Sequence, residues 1–277
     1  MKNQLVKCFE NVKIKSPLVH NITNYVTVND CANITIAIGA SPIMADAIEE
    51  IIEIQTISSG LNINIGTLNS RTVASMLLSA KRANELNHPV MLDAVGAGAS
   101  SFRDDTLKTF LDIAHFSCIK GNISEIKALS NKNIASKGVD ANILDKVNEE
   151  NIDDVIQSTR ILVKETKSIV IITGEIDLIV SDTKAWVVRN GCSMMSNITG
   201  SGCMLSSLVA SFISANTDNI FDAAAAAVIT MGIAGEKANE KMIKTESGNS
   251  SYRNYLIDEI FKFKATDLEI RGKYELR

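Results

Sequence analysis

The stretch NITGSGCMLSSLVASF at 197–212 carries the first clue to the fold. Two glycines flank Ser201, and Cys203 follows at once. Apolar side chains then recur at the three- and four-residue spacing of a helix, at Leu205, Leu208, Val209 and Phe212. The stretch therefore predicts a glycine loop that opens directly into a helix, with Cys203 in the first turn.

Outward from this stretch, apolar runs of strand length alternate with helical patterns. The predicted strands are LNINIG at 61–66, PVMLDAVGAG at 89–98, FSCIKGN at 116–122 and SIVIITG at 168–174. RTVASMLLSAKRANEL at 71–86 has helical spacing, and DLIVSDTKAWVVRN at 177–190 is typical of a hairpin. This alternation predicts an α/β fold with a mainly parallel central sheet and helices on both faces. The polar stretch at 131–154 is predicted to be a surface excursion within one domain spanning 1–277.

Composition narrows the classes of function. The chain has 277 residues, 45% of them hydrophobic, and a net charge of −4. That charge gives no electrostatic reason to bind nucleic acid or an anionic membrane. The start of the chain resembles no signal peptide, and the uncharged run at 223–235 is too short to span a bilayer. The five cysteines lie in no metal-binding spacing, which predicts neither disulfides nor zinc and indicates a reducing, cytoplasmic setting.

Polar residues fall where the predicted strands end. Asp93, Lys120 and Thr173 each follow an apolar run, and ligands bind beyond the carboxyl ends of open parallel sheets. Taken singly, two of them have an ordinary alternative: Asp93 as a helix cap and Lys120 as a solvated lysine. Glu125, three residues after Asn122, equally fits a capping box.

Cys203 is the strongest single candidate for chemistry. It could be a buried small hydrophobic residue. Against that, the glycines at 200 and 202 free backbone N–H groups at a helix N-terminus, which favours anions. Such a site would hold a phosphate, or the charge that develops during its transfer.

Three classes of function remain open at this level. The first is phosphoryl transfer. The second is acyl transfer with Cys203 as the nucleophile, which needs a base from His20, His88 or His115 because no histidine follows Cys203. The third is a catalytically silent ligand-binding protein.

Taken together, the motifs resemble the hydroxyethylthiazole kinases, the thiamine-salvage branch of the ribokinase-like superfamily. The resemblance covers 16–212, with a looser match to 255. Its segments are SPLVHNITNYVTVNDCAN at 16–33, GASPIMADAIEE at 39–50, NIGTL at 64–68, PVMLDAVGAGASSFR at 89–103, IKGNISEI at 119–126, KGVD at 137–140, ITGEIDLIVSD at 172–182 and NITGSGCML at 197–205.

The resemblance implies a ribokinase-like fold and ATP-dependent phosphorylation of the hydroxyl of 4-methyl-5-(2-hydroxyethyl)thiazole, with magnesium. It further implies a homotrimer with thiazole pockets between subunits, while the charge and composition above predict a cytoplasmic protein with no nucleic-acid or membrane partner. A kinase for another small alcohol, such as hydroxymethylpyrimidine, is the alternative within the superfamily.

Matched positions imply roles for individual residues. Cys203 stands where most of the superfamily has an aspartate base. The remaining expected contacts are Lys120 and Thr173 with ATP, Met44, Gly200 and Asn24 with the thiazole, and Asp93 and Glu125 with magnesium, directly or through water. The segment ESGNSSYRN at 246–254 follows the family only loosely, and the resemblance assigns no role to the tail after Tyr255.

Overall fold

The computed structural model describes residues 2–133 and 146–277. The KGVD segment at 137–140 and much of the predicted surface excursion lie outside these residues. The strands are β1 (Leu18–Ile22), β2 (Ser41–Ile43), β3 (Gly60–Asn64), β4 (Val90–Asp93), β5 (Cys118–Asn122), β6 (Ile169–Thr173), β7 (Asp177–Val180), β8 (Ala185–Val188) and β9 (Tyr274–Leu276).

Helices connect most of the strands. They are α1 (Lys2–Lys15), α2 (Val28–Ile38), α3 (Ile51–Ile57), α4 (Ser70–Glu85), α5 (Ser101–Ile113), α6 (Ile123–Asn133), α7 (Ile152–Thr166), α8 (Ser201–Ala215), α9 (Ile220–Lys244), α10 (Asn249–Phe261) and α11 (Ala265–Arg271). A short 3₁₀ helix, Ser193–Asn197, precedes α8.

The strands form one sheet in the order β2-β1-β3-β4-β5-β6-β7-β8-β9. Pairing is parallel from β2 through β6 and antiparallel from β6 to β9. The predicted α/β class, the mainly parallel sheet and the β7–β8 hairpin are therefore confirmed.

Three strands were not predicted: β1, β2 and β9. In β1 the apolar pattern is interrupted by His20 and Asn21, yet both side chains are buried. His20 Nδ1 lies 2.9 Å from Gln55 Oε1 and its Nε2 lies 2.9 Å from the carbonyl oxygen of Ala45. These groups, distant in the chain, provide hydrogen-bond partners for both nitrogens of the His20 ring. The strand therefore accommodates a buried polar residue, although the local sequence pattern does not favour a strand there. Strand β9 comes from the charged tail and completes the sheet edge beside β8.

The two faces of the sheet carry separate hydrophobic cores. Helices α1, α2, α8, α9 and α10 cover one face, and α4 to α7 cover the other. Along β6, Ile171 belongs to the first core while Val170 and Ile172 belong to the second, as the alternation of a strand requires. Helix α8 packs on β1, β3 and β4, which sets its first turn at the carboxyl end of the sheet.

Two further observations concern the cysteines and the possibility of a membrane-spanning helix. All five cysteines are free thiols in this structure. Within 2–133 and 146–277, no helix has both the length and the apolar character that crossing a bilayer demands.

Candidate active site

Three neighbouring strands carry a row of polar side chains at or near their carboxyl ends. Asn64 on β3 pairs in register with Asp93 on β4, and Asp93 pairs with Lys120 on β5. Lys120 Nζ lies 2.8 Å from Asp93 Oδ1, and the residues are 3% and 0% exposed. Lys120 is therefore a buried ion-pair partner, and the alternative of a solvated lysine is wrong.

The carboxylate of Asp93 is held from several directions. Its Oδ2 accepts hydrogen bonds from Asn64 Nδ2 at 2.7 Å and from Ser206 Oγ on α8 at 2.6 Å. Burial alone would lower the pKa of Lys120, but the adjacent Asp93 carboxylate, with help from Cys203 and Glu125, raises it above the ordinary value. Lys120 is thus a permanent cation at the end of the sheet.

The glycine loop leads into α8 as predicted. Gly200 caps the helix in the left-handed conformation at φ +86°, and a Cβ at this position would overlap the Thr27 side chain. Among the residues that the structure describes, no side chain caps this end of α8, so the N–H groups of its first turn can face an anion. Gly202 has no Cβ, and a Cβ built on its backbone would lie 3.6 Å from Lys120 Nζ. The ammonium group of Lys120 and the N-terminus of α8 therefore lie side by side.

Cys203 lies in the first turn of α8 and is half-buried, unlike the inert buried cysteine of the alternative interpretation. The Asn24 amide donates to its Sγ at 3.2 Å. His20 and His88 lie elsewhere, and both contact the Gln55 amide. The acyl-transfer alternative therefore lacks an imidazole bonded to Cys203 among the described residues.

Glu125 forms the capping box that its spacing suggested. Its Oε2 accepts from the Asn122 N–H at 2.7 Å, and its own N–H donates to Asn122 Oδ1 at 2.9 Å. The second oxygen, Oε1, accepts from the Gly96 N–H at 2.7 Å, which ties the glycine loop after β4 to α6. Thr173, half-buried at the end of β6, is the register partner of Asn122. Glu125 and Thr173 therefore lie at the same edge as Lys120.

The two acids expected to hold magnesium differ in what they can still bind. Within 2–133 and 146–277, each Glu125 oxygen accepts one backbone hydrogen bond and keeps a free lone pair, so this half-buried carboxylate fits a hydrated magnesium ion. Asp93 fits less well as a direct ligand, because it is fully buried, its Oδ2 already accepts two hydrogen bonds and its Oδ1 faces the Lys120 ammonium group. In the part of the chain that the structure describes, no three His, Cys, Asp or Glu side chains are grouped to hold a metal.

The predicted thiazole contacts lie on three loops, after β1, after β2 and before α8. Met44 follows β2 and is half-buried, and the carbonyl oxygen of the next residue, Ala45, is fixed by His20. Asn24 follows β1 and is buried against Cys203. Gly200 faces the same loop through Thr27.

Sequence reasoning missed three polar residues here: Asn64, Ser206 and Asp177. Asn64 and Ser206 hold Asp93 as described above. Asp177 starts β7 and accepts from the Gly174 N–H at 2.8 Å. Burial raises the pKa of Asp177 to about 7. The position of Asn64 at a strand end was the one available signal, and it was read only as part of an apolar alternation.

Comparisons with known proteins show which proteins this chain is similar to. The model of the hydroxyethylthiazole kinase family matches 9–266. A Clostridium acetobutylicum protein named hydroxyethylthiazole kinase is 53% identical over 266 residues, 96% of this chain and 97% of that protein. A Clostridium tetani protein of the same name is 47% identical over 271 residues, 98% of this chain and 96% of its own length. The solved structure of a Pyrococcus horikoshii hydroxyethylthiazole kinase protein has a TM-score of 0.87 at 32% identity, with 99% of both chains covered.

Proposed function

The chain belongs to the hydroxyethylthiazole kinase family, and we propose that it transfers the γ-phosphoryl group of ATP to the hydroxyl of 4-methyl-5-(2-hydroxyethyl)thiazole. The phosphate ester would serve thiamine salvage. We take 1–277 as one kinase domain of ribokinase-like fold, acting in the cytoplasm, where ATP is available. Its many kinase relatives support this over the silent-binder alternative.

The observation that carries the proposal is the meeting of Lys120 with the uncapped N-terminus of α8. Phosphoryl transfer needs mainly positioning and charge stabilisation of the group in flight. A buried cation and free backbone N–H groups supply both without reorganising during the reaction. We assign Lys120 and Thr173 to ATP.

Magnesium, when bound with ATP, would offset the charge of the phosphates. We assign Glu125 to hold it through water, because its carboxylate keeps free lone pairs. Asp93, the second acid expected there, is better suited to hold Lys120 in place, as its 2.8 Å ion pair indicates.

We assign the thiazole to the loops that carry Met44 and Gly200, and the acceptance of the hydroxyl proton to Cys203. The thiol lies beside the helix N-terminus where the transferred group would sit. A proton acceptor at this point need act only late in a loose transfer.

A homotrimer with shared thiazole pockets is part of the proposal. Large apolar side chains are exposed on the loop after β1, on α2 and at the end of α3, which suits a subunit interface. They are Tyr25, Val26, Ile36 and Ile57. Light scattering at micromolar concentration should give about three times the 30.0 kDa chain mass, and a fully active monomer would refute shared pockets.

The activity is tested by coupled ADP release with the thiazole alcohol and hydroxymethylpyrimidine assayed side by side. We expect ADP release that depends on the thiazole, with a higher kcat/KM than on the pyrimidine. A preference for the pyrimidine would reassign the substrate. A covalent Cys203 adduct with no ADP release would overturn the kinase proposal.

A further inference from the structure

Two side-chain amides connect Asp93 to Cys203, and backbone N–H groups fix which way each amide points. The Gly66 N–H donates to Asn64 Oδ1 at 2.9 Å, so the other end of that amide, Nδ2, must face Asp93. The Thr27 N–H donates to Asn24 Oδ1 at 3.1 Å, so Asn24 Nδ2 must face away from it. A flipped amide would set N–H against N–H in either place.

The Asn24 amide has no hydrogen-bonding capacity left for a ligand. Its oxygen accepts from the N–H of Thr27 and, at 3.0 Å, from the Thr27 hydroxyl. Its two N–H groups donate to Asn64 Oδ1 at 3.0 Å and to Cys203 Sγ at 3.2 Å. A side-chain amide offers two donors and two acceptor sites, and all four are used. Asn24 therefore acts on the thiol rather than on a polar atom of the substrate.

The close packing of the two amides is a separate observation. A Cβ at Gly66 would lie 2.9 Å from Asn64 Oδ1 and 3.1 Å from Asn24 Nδ2. Any other residue at 66 would press on the point where the amides meet. The glycine at position 66 thus leaves room for the contact between the Asn24 and Asn64 amides.

We propose that Asn24 is a positioning residue that, held by Thr27 and Asn64, orients Cys203 Sγ and stabilises its thiolate for proton acceptance. An N–H donor aimed at sulfur bonds more strongly to the anion than to the thiol. The inference rests on the proposed phosphoryl transfer for its role in turnover. In that transfer the substrate oxygen bonds to the γ-phosphorus, the bond from phosphorus to the leaving ADP oxygen breaks, and the hydroxyl proton passes to Cys203 sulfur.

The first test needs no substrate. Iodoacetamide alkylates the thiolate, and mass spectrometry of the Cys203 peptide gives the rate at fixed pH. Asn24→Leu keeps the side-chain size and should slow alkylation about tenfold or more, since a hydrogen bond to a charged group is worth roughly a factor of ten to a hundred. Asn64→Leu leaves the bond from Asn24 to sulfur in place but removes the support of Asn24, together with a hydrogen bond to Asp93, and should slow alkylation several-fold.

Asn62→Leu is the matched control. Asn62 lies two residues earlier on β3, is equally buried, and donates to Asn21 and Ser207 instead. We expect its Cys203 alkylation rate to stay within about twofold of wild type. Equal slowing in Asn62→Leu and Asn64→Leu, or unchanged alkylation in both Asn24→Leu and Asn64→Leu, would overturn the proposal. Should Asn24→Leu fail to fold, Asn64→Leu against its control decides.

The second test uses turnover. Asn24→Leu should lower kcat about tenfold or more, with thiazole KM within about threefold, and should have little further effect when Cys203→Ala is already present. A rise in KM that is the same with and without Cys203 would show a substrate contact and refute the positioning role. If the thiazole alcohol proves not to be the substrate, the alkylation test still stands, so the two failures are distinguishable.

Discussion

Replacing Lys120 by methionine would leave Asp93 as an unpaired buried charge. The two side chains are 4% and 0% exposed and 2.8 Å apart, so water cannot take over from the lost ammonium group. Breaking a buried pair by removing one partner costs about 3 to 5 kcal/mol of unfolding free energy. At about 2 °C per kcal/mol for a chain of this size, the melting temperature of Lys120→Met should fall by about 6 to 10 °C. ADP release should fall with it.

The double variant Lys120→Met with Asp93→Asn separates folding from catalysis. With both charges removed, the pair is neutral, and Asn64 and Ser206 can still bond to residue 93. We expect the double variant to recover much of the lost stability, so that its cost is well below the sum of the single costs. Activity should stay lost, because the cation that faces ATP is gone.

The exposed pair of Arg71 and Asp46 is the control. These side chains are 58% and 49% exposed at a similar separation of 2.9 Å, so Arg71→Met should change the free energy of unfolding far less than Lys120→Met does. Calorimetry and urea unfolding measure both. A Lys120→Met variant that melts with wild type, or a double variant whose costs simply add, would refute the reasoning that Lys120 and Asp93 act as a buried unit.

Substitutions at three further positions test other parts of the site. Cys203→Asp should turn over as fast as wild type or faster, because a carboxylate can also accept the proton, whereas Cys203→Ala should be about 100-fold or more slower. A Cys203→Asp variant that folds but releases no ADP would refute the role of Cys203 as the base. Glu125→Gln removes one of the two oxygens that accept backbone hydrogen bonds, so the free energy of unfolding should fall by about 1 to 3 kcal/mol. Its kcat should fall at least about tenfold if Glu125 holds magnesium. Unchanged turnover and magnesium dependence would show that Glu125 acts only as a helix cap. Burial raises the pKa of Asp177 from 3.8 to about 7, so the folded chain keeps a proton that the unfolded chain releases. Wild type should therefore lose stability relative to Asp177→Asn as the pH rises from about 4 to about 7, and parallel melting curves across that range would contradict it.

The features that sequence reasoning found are local in the chain. The helix after the glycine loop shows its period within 16 residues, and the capping box joins Asn122 to Glu125 across three residues. Strand ends are equally local, which is why Asp93 and Lys120 were found. That they form an ion pair was not predictable, because the pairing depends on which strands are neighbours in the sheet.

The contacts that decide what each residue does join distant parts of the chain. Asn24 and Cys203 are 179 residues apart, and Asp93 and Ser206 are 113 apart. No spacing rule links such positions, and the resemblance supplied only the residues, not their bonds. Asn24 was accordingly expected to contact the thiazole, whereas its four hydrogen bonds all go to protein groups.

Helix α8 gives these distant contacts a common origin. Cys203 and Ser206 are three residues apart, so they lie on the same face of the helix, towards the sheet. One receives the Asn24 amide and the other donates to Asp93, while Asn64 bonds to both Asn24 and Asp93. The thiol and the ion pair are therefore fixed to each other twice, once through the helix and once through the amides. A sliding of α8 along the sheet would break both connections together, so the geometry of proton acceptor and cation is set as one unit.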